Sequence, residues 1–277
     1  MILILLLGVY FTLSISYLSS NLRIKPTILC KLDDLKASSQ DIEDEYKSPL
    51  SQRWYREKQK HISSNLKKIY NSNWPTYGID LQYGKKIIIS EPYTVLDVGF
   101  GTGESIVGMS SQSKDTLFIG CEIYRAGIAS AMKQIIELGL QEHRIKFVRY
   151  DVTHFMDYIE DNSFDEILIF FPDPWANDRD IGKRVVRKSL LDIFASKMKH
   201  NGLLRIATDV ENYANYINTT MNDHIKYKLV QYEKHTAGII FNNTKSNIKV
   251  YRPITKYERI ALEENRNIHE FEYRVNS

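Results

Sequence analysis

Five acids, Asp97, Glu122, Asp151, Asp173 and Asp209, each stand in or just beyond a short apolar run, and Gly99, Gly101 and Gly103 follow the first of them. Carboxylates gathered at strand ends can hold a cationic or hydroxyl-rich ligand and stabilise positive charge that develops on it. Glycines spaced by single residues let the backbone come close to such a ligand. In open α/β sheets, the ends of the strands are where ligands bind. The sharpest of these sites is Ile169-Phe-Phe-Pro-Asp-Pro-Trp175. Its apolar run, Leu168 to Phe171, predicts a buried parallel strand, and Pro172 and Pro174 forbid its continuation as helix or central strand, which holds Asp173 at the tip. Read alone, the motif also fits a sharp strand exit with an Asp satisfied by its own turn.

Thr94 to Val98 predicts a buried strand that runs into the glycine turn, with a helix N-terminus after it. A dinucleotide site wants Gly-x-Gly-x-x-Gly, and Glu104 occupies the place of its third glycine, which argues against a nicotinamide cofactor. Asp97 instead suits a cofactor bearing an amino or cationic group, or else it caps the turn. Glu122 ends the strand Thr116 to Glu122, about twenty residues beyond the glycines, the spacing at which a carboxylate meets ribose hydroxyls. Asp151 tips a third strand, Arg144 to Tyr150, where it either meets the adenine end of a nucleoside or caps the next helix.

The elements that must carry these residues alternate. The pattern predicts a helix from Ala126 to Leu140, a strand from Phe164 to Phe171, a helix from Val185 to Met198 and a strand from Gly202 to Thr208 tipped by Asp209. A short helix over Asn212 to Asn218 and strands over Tyr227 to Glu233 and Phe271 to Arg274 follow. Upstream, Arg53, Arg56, Lys58, Lys60, Lys67 and Lys68 interleave with Trp54 and Tyr55, either as a nucleic-acid arm or as the solvated face of a helix that Trp74-Pro-Thr-Tyr-Gly78 ends.

With 277 residues the chain suits one domain over 51–277 after a segment 1–50 of different composition. A net charge of +3 confines any nucleic-acid surface to a local patch, and two cysteines with seven scattered histidines give neither a disulfide framework nor a metal-ligand spacing. Ile2 to Leu18 is nearly all apolar and ends at Ser19 and Ser20, as a secretory segment does, and Asn21 to Lys31 is basic. An organellar leader of the plastid type is the expectation, with a membrane anchor or a cytoplasmic protein as the alternatives.

Together the motifs resemble the bacterial-type tRNA (guanine-N7)-methyltransferases, which use S-adenosylmethionine. The resemblance spans Trp74 to Phe271 and rests on Trp74-Pro75, Asp97-Val-Gly-Phe-Gly-Thr-Gly103, Gly120-Cys-Glu122, Phe171-Pro-Asp-Pro-Trp175, Ala207-Thr-Asp209 with Tyr213-Ala214, and Arg252-Pro-Ile-Thr-Lys-Tyr-Glu258. It implies a Rossmann-like α/β fold of the class I methyltransferases, a mostly parallel seven-stranded sheet with helices on both faces. It also implies that Asp97, the three glycines, Glu122, Asp151 and Asp173 line the cofactor and active site, while Asp209, Thr255, Lys256, Tyr257 and Glu258 address the tRNA. Asn177 stands where the family has Lys, Asp97 where it has Glu, and Gly182-Lys183-Arg184 where it has Lys-Arg-Arg.

On this reading N7 of guanine attacks a sulfonium methyl with its own lone pair, and Asp173 stabilises the charge that moves onto the purine. Trp175 is a candidate to stack on the base. Arg179, Lys183, Arg184, Arg187 and Lys188 are candidates to grip phosphates. No metal and no obligate protein partner are expected, and the chain acts as a monomer or homodimer. Two rivals are an amino-methyltransferase acting on adenine or cytosine, whose Pro-Pro-aromatic motif resembles Pro172 to Trp175, and an RNA-binding relative without catalysis.

Overall fold

The protein is described by a computed structural model over residues 62–140, 144–236 and 252–276. The leader and the part of the basic arm before residue 62 lie outside the described residues. Helix α1 spans Ser64–Tyr77, and Lys67 and Lys68 are exposed on it. It ends at Tyr77 with Gly78 as its cap, within the stretch the turn residues mark, and it runs through Pro75 to get there. Trp74 stacks on Tyr70 at 4.9 Å and donates Nε1–H to Asp80, so side-chain packing carries the last turn past a residue that lacks a donor.

Next come β1 (Thr94–Val98), α2 (Glu104–Ser110), β2 (Leu117–Cys121), α3 (Arg125–Leu138), β3 (Ile145–Val148), the single turn α4 (Val152–Phe155) and β4 (Phe164–Phe170). Then follow α5 (Lys188–Lys197), β5 (Met198–Thr208), α6 (Glu211–Asn222), β6 (Tyr227–Thr236), α7 (Lys256–Glu263) and β7 (Asn267–Val275). The strands form one seven-stranded sheet in the order β3-β2-β1-β4-β5-β7-β6, in which β7 alone runs antiparallel to its neighbours. This is the Rossmann-like arrangement. The chain reverses its direction of travel between β1 and β4, so a crevice opens at their carboxyl ends.

Both faces are covered, which is why β1 and β2 are buried at every position. On one face Val95, Phe118 and Leu168 pack against α1, α2 and α3; on the other Leu96, Ile167, Ile169 and Ile206 pack against α5 and α6. Strands β5, β6 and β7 and helix α6 run longer than the sequence pattern suggests, and one stretch changes character. Val185 and Val186 form a bend that leads into an extended Arg187 rather than helix, because Val186 is drawn into the core and Arg187 spends its guanidinium on Thr153 Oγ1 and the Arg184 carbonyl. The stretch 178–183 forms an unexpected 3-10 turn instead.

The first face also carries charge inside the sheet. Arg205 on β5 lies 3.8 Å from Glu166 on β4 and 3.6 Å from Glu272 on β7, all three buried, and Tyr93 donates its hydroxyl to Glu166. Nearer the crevice, Arg252 bridges Glu258 and Glu270. Burial works to raise the Glu270 carboxyl, but the charge and hydrogen bond of Arg252, with His235 3.8 Å away, outweigh it and hold it at about 2.

Candidate active site

The β1 turn leaves its strand with Gly99, Gly101 and Gly103 at φ of +69°, +60° and +93°. A side chain at Gly103 would meet Ala131 of α3 at 2.4 Å, and one at Gly127 would meet the Gly101 carbonyl at 2.2 Å. The turn is therefore seated between α2 and α3. At Gly99 and Gly101 the space a Cβ would take is open. That open side forms a shallow cleft whose other walls are Phe170, Phe171 and the α7 start, Thr255 to Tyr257.

Asp97 lies beneath this turn with one carboxylate oxygen accepting from Ser105 Oγ at 2.7 Å and the other buried without a partner. Burial pushes its carboxyl up to about 7, against the Ser105 hydrogen bond and with help from the Glu122 charge. Ser105 also lines the cleft, so its hydroxyl links Asp97 to that space. Glu122 accepts from three backbone N–H groups, Gly101, Ile123 and Tyr124, at 2.9, 2.7 and 2.9 Å. Since a carboxylate has about four acceptor directions, one is left for a hydroxyl. Burial raises the Glu122 carboxyl, the three amides oppose that, and the negative charge of Asp173 adds to it.

Asp173 is exposed beyond the end of β4, and its charge reaches both Glu122 and Tyr257. The strand ends one residue before the sequence pattern suggests, because Phe171 turns to φ +50° and Trp175 to φ +44° on the far side of the two prolines. Left-handed backbone at two bulky residues costs energy, so the surrounding structure must impose it. Tyr257 stacks on Phe171 at 6.3 Å and remains about half exposed. Asp151 accepts from Thr153 N at 2.8 Å and caps α4, the plainer of its two expected uses.

Several substrate-facing expectations are redirected. Arg184 is buried rather than presented to phosphate, because its guanidinium is taken up by the carbonyls of Pro174 and Trp175 and by two tyrosine rings. The Glu258 carboxylate is buried against Arg252, and Asp209 is paired with Arg266. Thr255 caps α7 by accepting from Glu258 N at 3.3 Å. Lys256 exposes its side chain, while its backbone N–H donates to Glu104. Asn177 and Arg179 are exposed before and on the 3-10 turn. Lys183 pairs with Asp180 at 2.6 Å and sits 4.8 Å over the Trp175 ring, so one face of that indole already carries a cation.

Sequence reasoning missed Ser105, Arg252 and Glu104. Glu104 registers in the pattern only as an absent glycine, yet its carboxylate holds the α7 start through Lys256 N and Arg259, the latter at 2.6 Å. Its place at the first position of α2 was the available signal. Among the described residues no group of His, Cys, Asp and Glu is placed to hold a metal ion.

Comparison with known proteins gives the family. Residues 91–271 match a family model described as a putative methyltransferase. A tRNA (guanine-N(7)-)-methyltransferase of Buchnera aphidicola subsp. Acyrthosiphon pisum (strain Tuc7) is 32% identical over 211 residues, 73% of this chain and 82% of that protein. The enzyme of the same name from Actinobacillus pleuropneumoniae serotype 5b (strain L20) is 29% identical over 205 residues, 72% of this chain and 78% of the relative. A third, from Idiomarina loihiensis, is 28% identical and covers 73% and 80%. With the family model matched over 91–271 and a relative 32% identical across 82% of its length, the chain belongs to the tRNA (guanine-N7)-methyltransferase family.

Proposed function

We propose that this protein transfers the methyl group of S-adenosylmethionine to N7 of a guanine in tRNA. The observation that carries the reading is that the glycine turn and Thr255 to Tyr257 line one crevice, with the Asp173 charge acting on both Glu122 and Tyr257, in a chain alike over most of its length to enzymes named for that reaction. The site fits the cofactor. Asp97 keeps a buried oxygen without a partner, Gly99 and Gly101 leave room for close approach, and Glu122 retains an acceptor direction. When bound, S-adenosylmethionine supplies an electrophilic methyl group.

Guanine N7 brings its own lone pair, so no side chain has to remove a proton. What the chain must do is align the base and meet the positive charge that grows on the purine. Asp173 is the residue assigned to that, supported by its exposure at the strand tip and its charge acting on Tyr257. Tyr257, half exposed and stacked on Phe171, offers a face for the base, which Trp175 offers less well with Lys183 over its ring. Glu258 and Asp209 act through their arginine partners rather than as free carboxylates.

The test is to incubate unmodified tRNA with the protein and S-adenosylmethionine, then reduce and cleave with aniline. A break at a guanine is expected. Methyl on an exocyclic amine would favour the amino-methyltransferase rival, and cofactor binding without any methyl transfer would favour an RNA-binding relative.

A further inference from the structure

The loop that carries Asp173 is bent at both shoulders, Phe171 and Trp175, into backbone that bulky residues avoid. Each shoulder has a buried arginine against it. On the strand side the Arg252 guanidinium lies 5.3 Å from the Phe171 ring centroid. On the far side Arg184 donates Nε–H to the Pro174 carbonyl at 2.8 Å and Nη2–H to the Trp175 carbonyl at 3.2 Å. Its guanidinium is also packed on Tyr216 and Tyr213 of α6, 4.2 and 5.0 Å from their centroids.

Arg184 is 7% exposed, so a planar group with little freedom grips the two carbonyls that follow Asp173. One of those carbonyls belongs to Trp175, whose φ is +44°. Few other groups could reach both oxygens. Lysine has a point charge without the fork, and a neutral amide lacks the charge that strengthens bonds to carbonyls.

We propose that Arg184 is a positioning residue for Asp173, holding the Pro-Asp-Pro-Trp loop in its bent form from α6 and so fixing where the Asp173 carboxylate meets the reacting base. The inference rests on the function proposed above. It differs from a phosphate grip, in which the guanidinium would have to leave both carbonyls and both rings.

The experiment uses the full chain and compares wild type, Arg184→Gln, Arg184→Lys, Asp173→Ala and the double variant Asp173→Ala with Arg184→Gln. It reads kcat, KM for tRNA, the salt dependence of tRNA binding and the affinity for S-adenosylhomocysteine. A misplacement of about 1 Å costs on the order of 100-fold, so Arg184→Gln should lose about that much kcat while S-adenosylhomocysteine affinity and the salt slope stay as in wild type. Arg184→Lys, which keeps the charge, should lose about tenfold or more. In the Asp173→Ala background the Gln substitution should cost little further, because both changes remove one contribution. Wild-type kcat in Arg184→Lys, a shallower salt slope at unchanged kcat, or full additivity with Asp173→Ala would overturn the proposal. If Arg184→Gln no longer binds S-adenosylhomocysteine, the decision passes to Tyr216→Leu, which removes one face of the packing. A fall in kcat at unchanged affinity supports the clamp, and unchanged kcat overturns it. Wild type that forms no N7-methylguanosine would instead remove the proposed function.

Discussion

Asp97 gives the most direct test of how the cofactor end works. Its carboxyl is buried and raised from an ordinary 3.8 to about 7. A group raised on folding stabilises the fold fully below its unfolded value and loses that contribution as pH rises through the folded one. Between about pH 4 and pH 7 the ligand-free protein should therefore lose stability on the order of 4 kcal/mol from this residue, taking 1.36 kcal/mol for each pH unit. Asp97→Asn should remove the loss and raise the melting temperature of the ligand-free protein near pH 8, by up to about 10 °C for a domain of this size.

Ligand binding should run the other way. If an ammonium group of the cofactor is held by ionised Asp97, about a tenth of the protein is competent at pH 6 and about nine tenths at pH 8, an affinity gain of about tenfold. Calorimetry with S-adenosylhomocysteine at the two pH values measures it, and the same titration of Asp97→Asn cancels the ligand's own ionisation. Asp97→Asn should bind more weakly with that slope removed. An equal slope in both proteins would refute the assignment, as would a variant no more stable than wild type near pH 8.

Three further outcomes follow from the geometry. Asp173→Ala should lower kcat by about 100-fold or more with a much smaller change in S-adenosylhomocysteine affinity, measured by single-turnover methylation of tRNA; near wild-type turnover would remove Asp173 from the chemistry. Asn177→Lys places a cation on the exposed approach to the 3-10 turn, and should tighten tRNA binding and steepen its salt slope by up to about one unit, read by filter binding. Arg252→Ala leaves two buried carboxylates, Glu258 and Glu270, without their partner, and should cost about 3–5 kcal/mol in denaturant unfolding at neutral pH.

The strand tips were legible in the sequence because their signals are local. Apolar runs such as Thr94 to Val98 set the strands, and glycine or proline marks where they stop, so Asp97, Glu122, Asp151 and Asp173 fell at or near the positions the pattern assigns. Partners were not legible. Asp209 pairs with Arg266 across 57 positions, and Glu258 and Glu270 share Arg252 because β7 runs antiparallel beside β5, a register no local pattern encodes. Arg184 was misread for a related reason. Arg179, Lys183, Arg187 and Lys188 around it make the stretch read as a cationic patch, and only the fold brings α6 beneath Arg184.

Glu104 holds a further consequence. It opens the helix after the glycine turn, and it also fixes the start of α7, whose next residue is Tyr257. A ligand that settles the turn thus shares one carboxylate with the motif proposed to meet the nucleic acid. Whatever ordering the first arrival imposes on Glu104 is ordering the second no longer has to supply, and the effect is reciprocal. Methyl donor and tRNA should on this account each tighten the binding of the other by the same factor, which tRNA binding measured with and without S-adenosylhomocysteine would show.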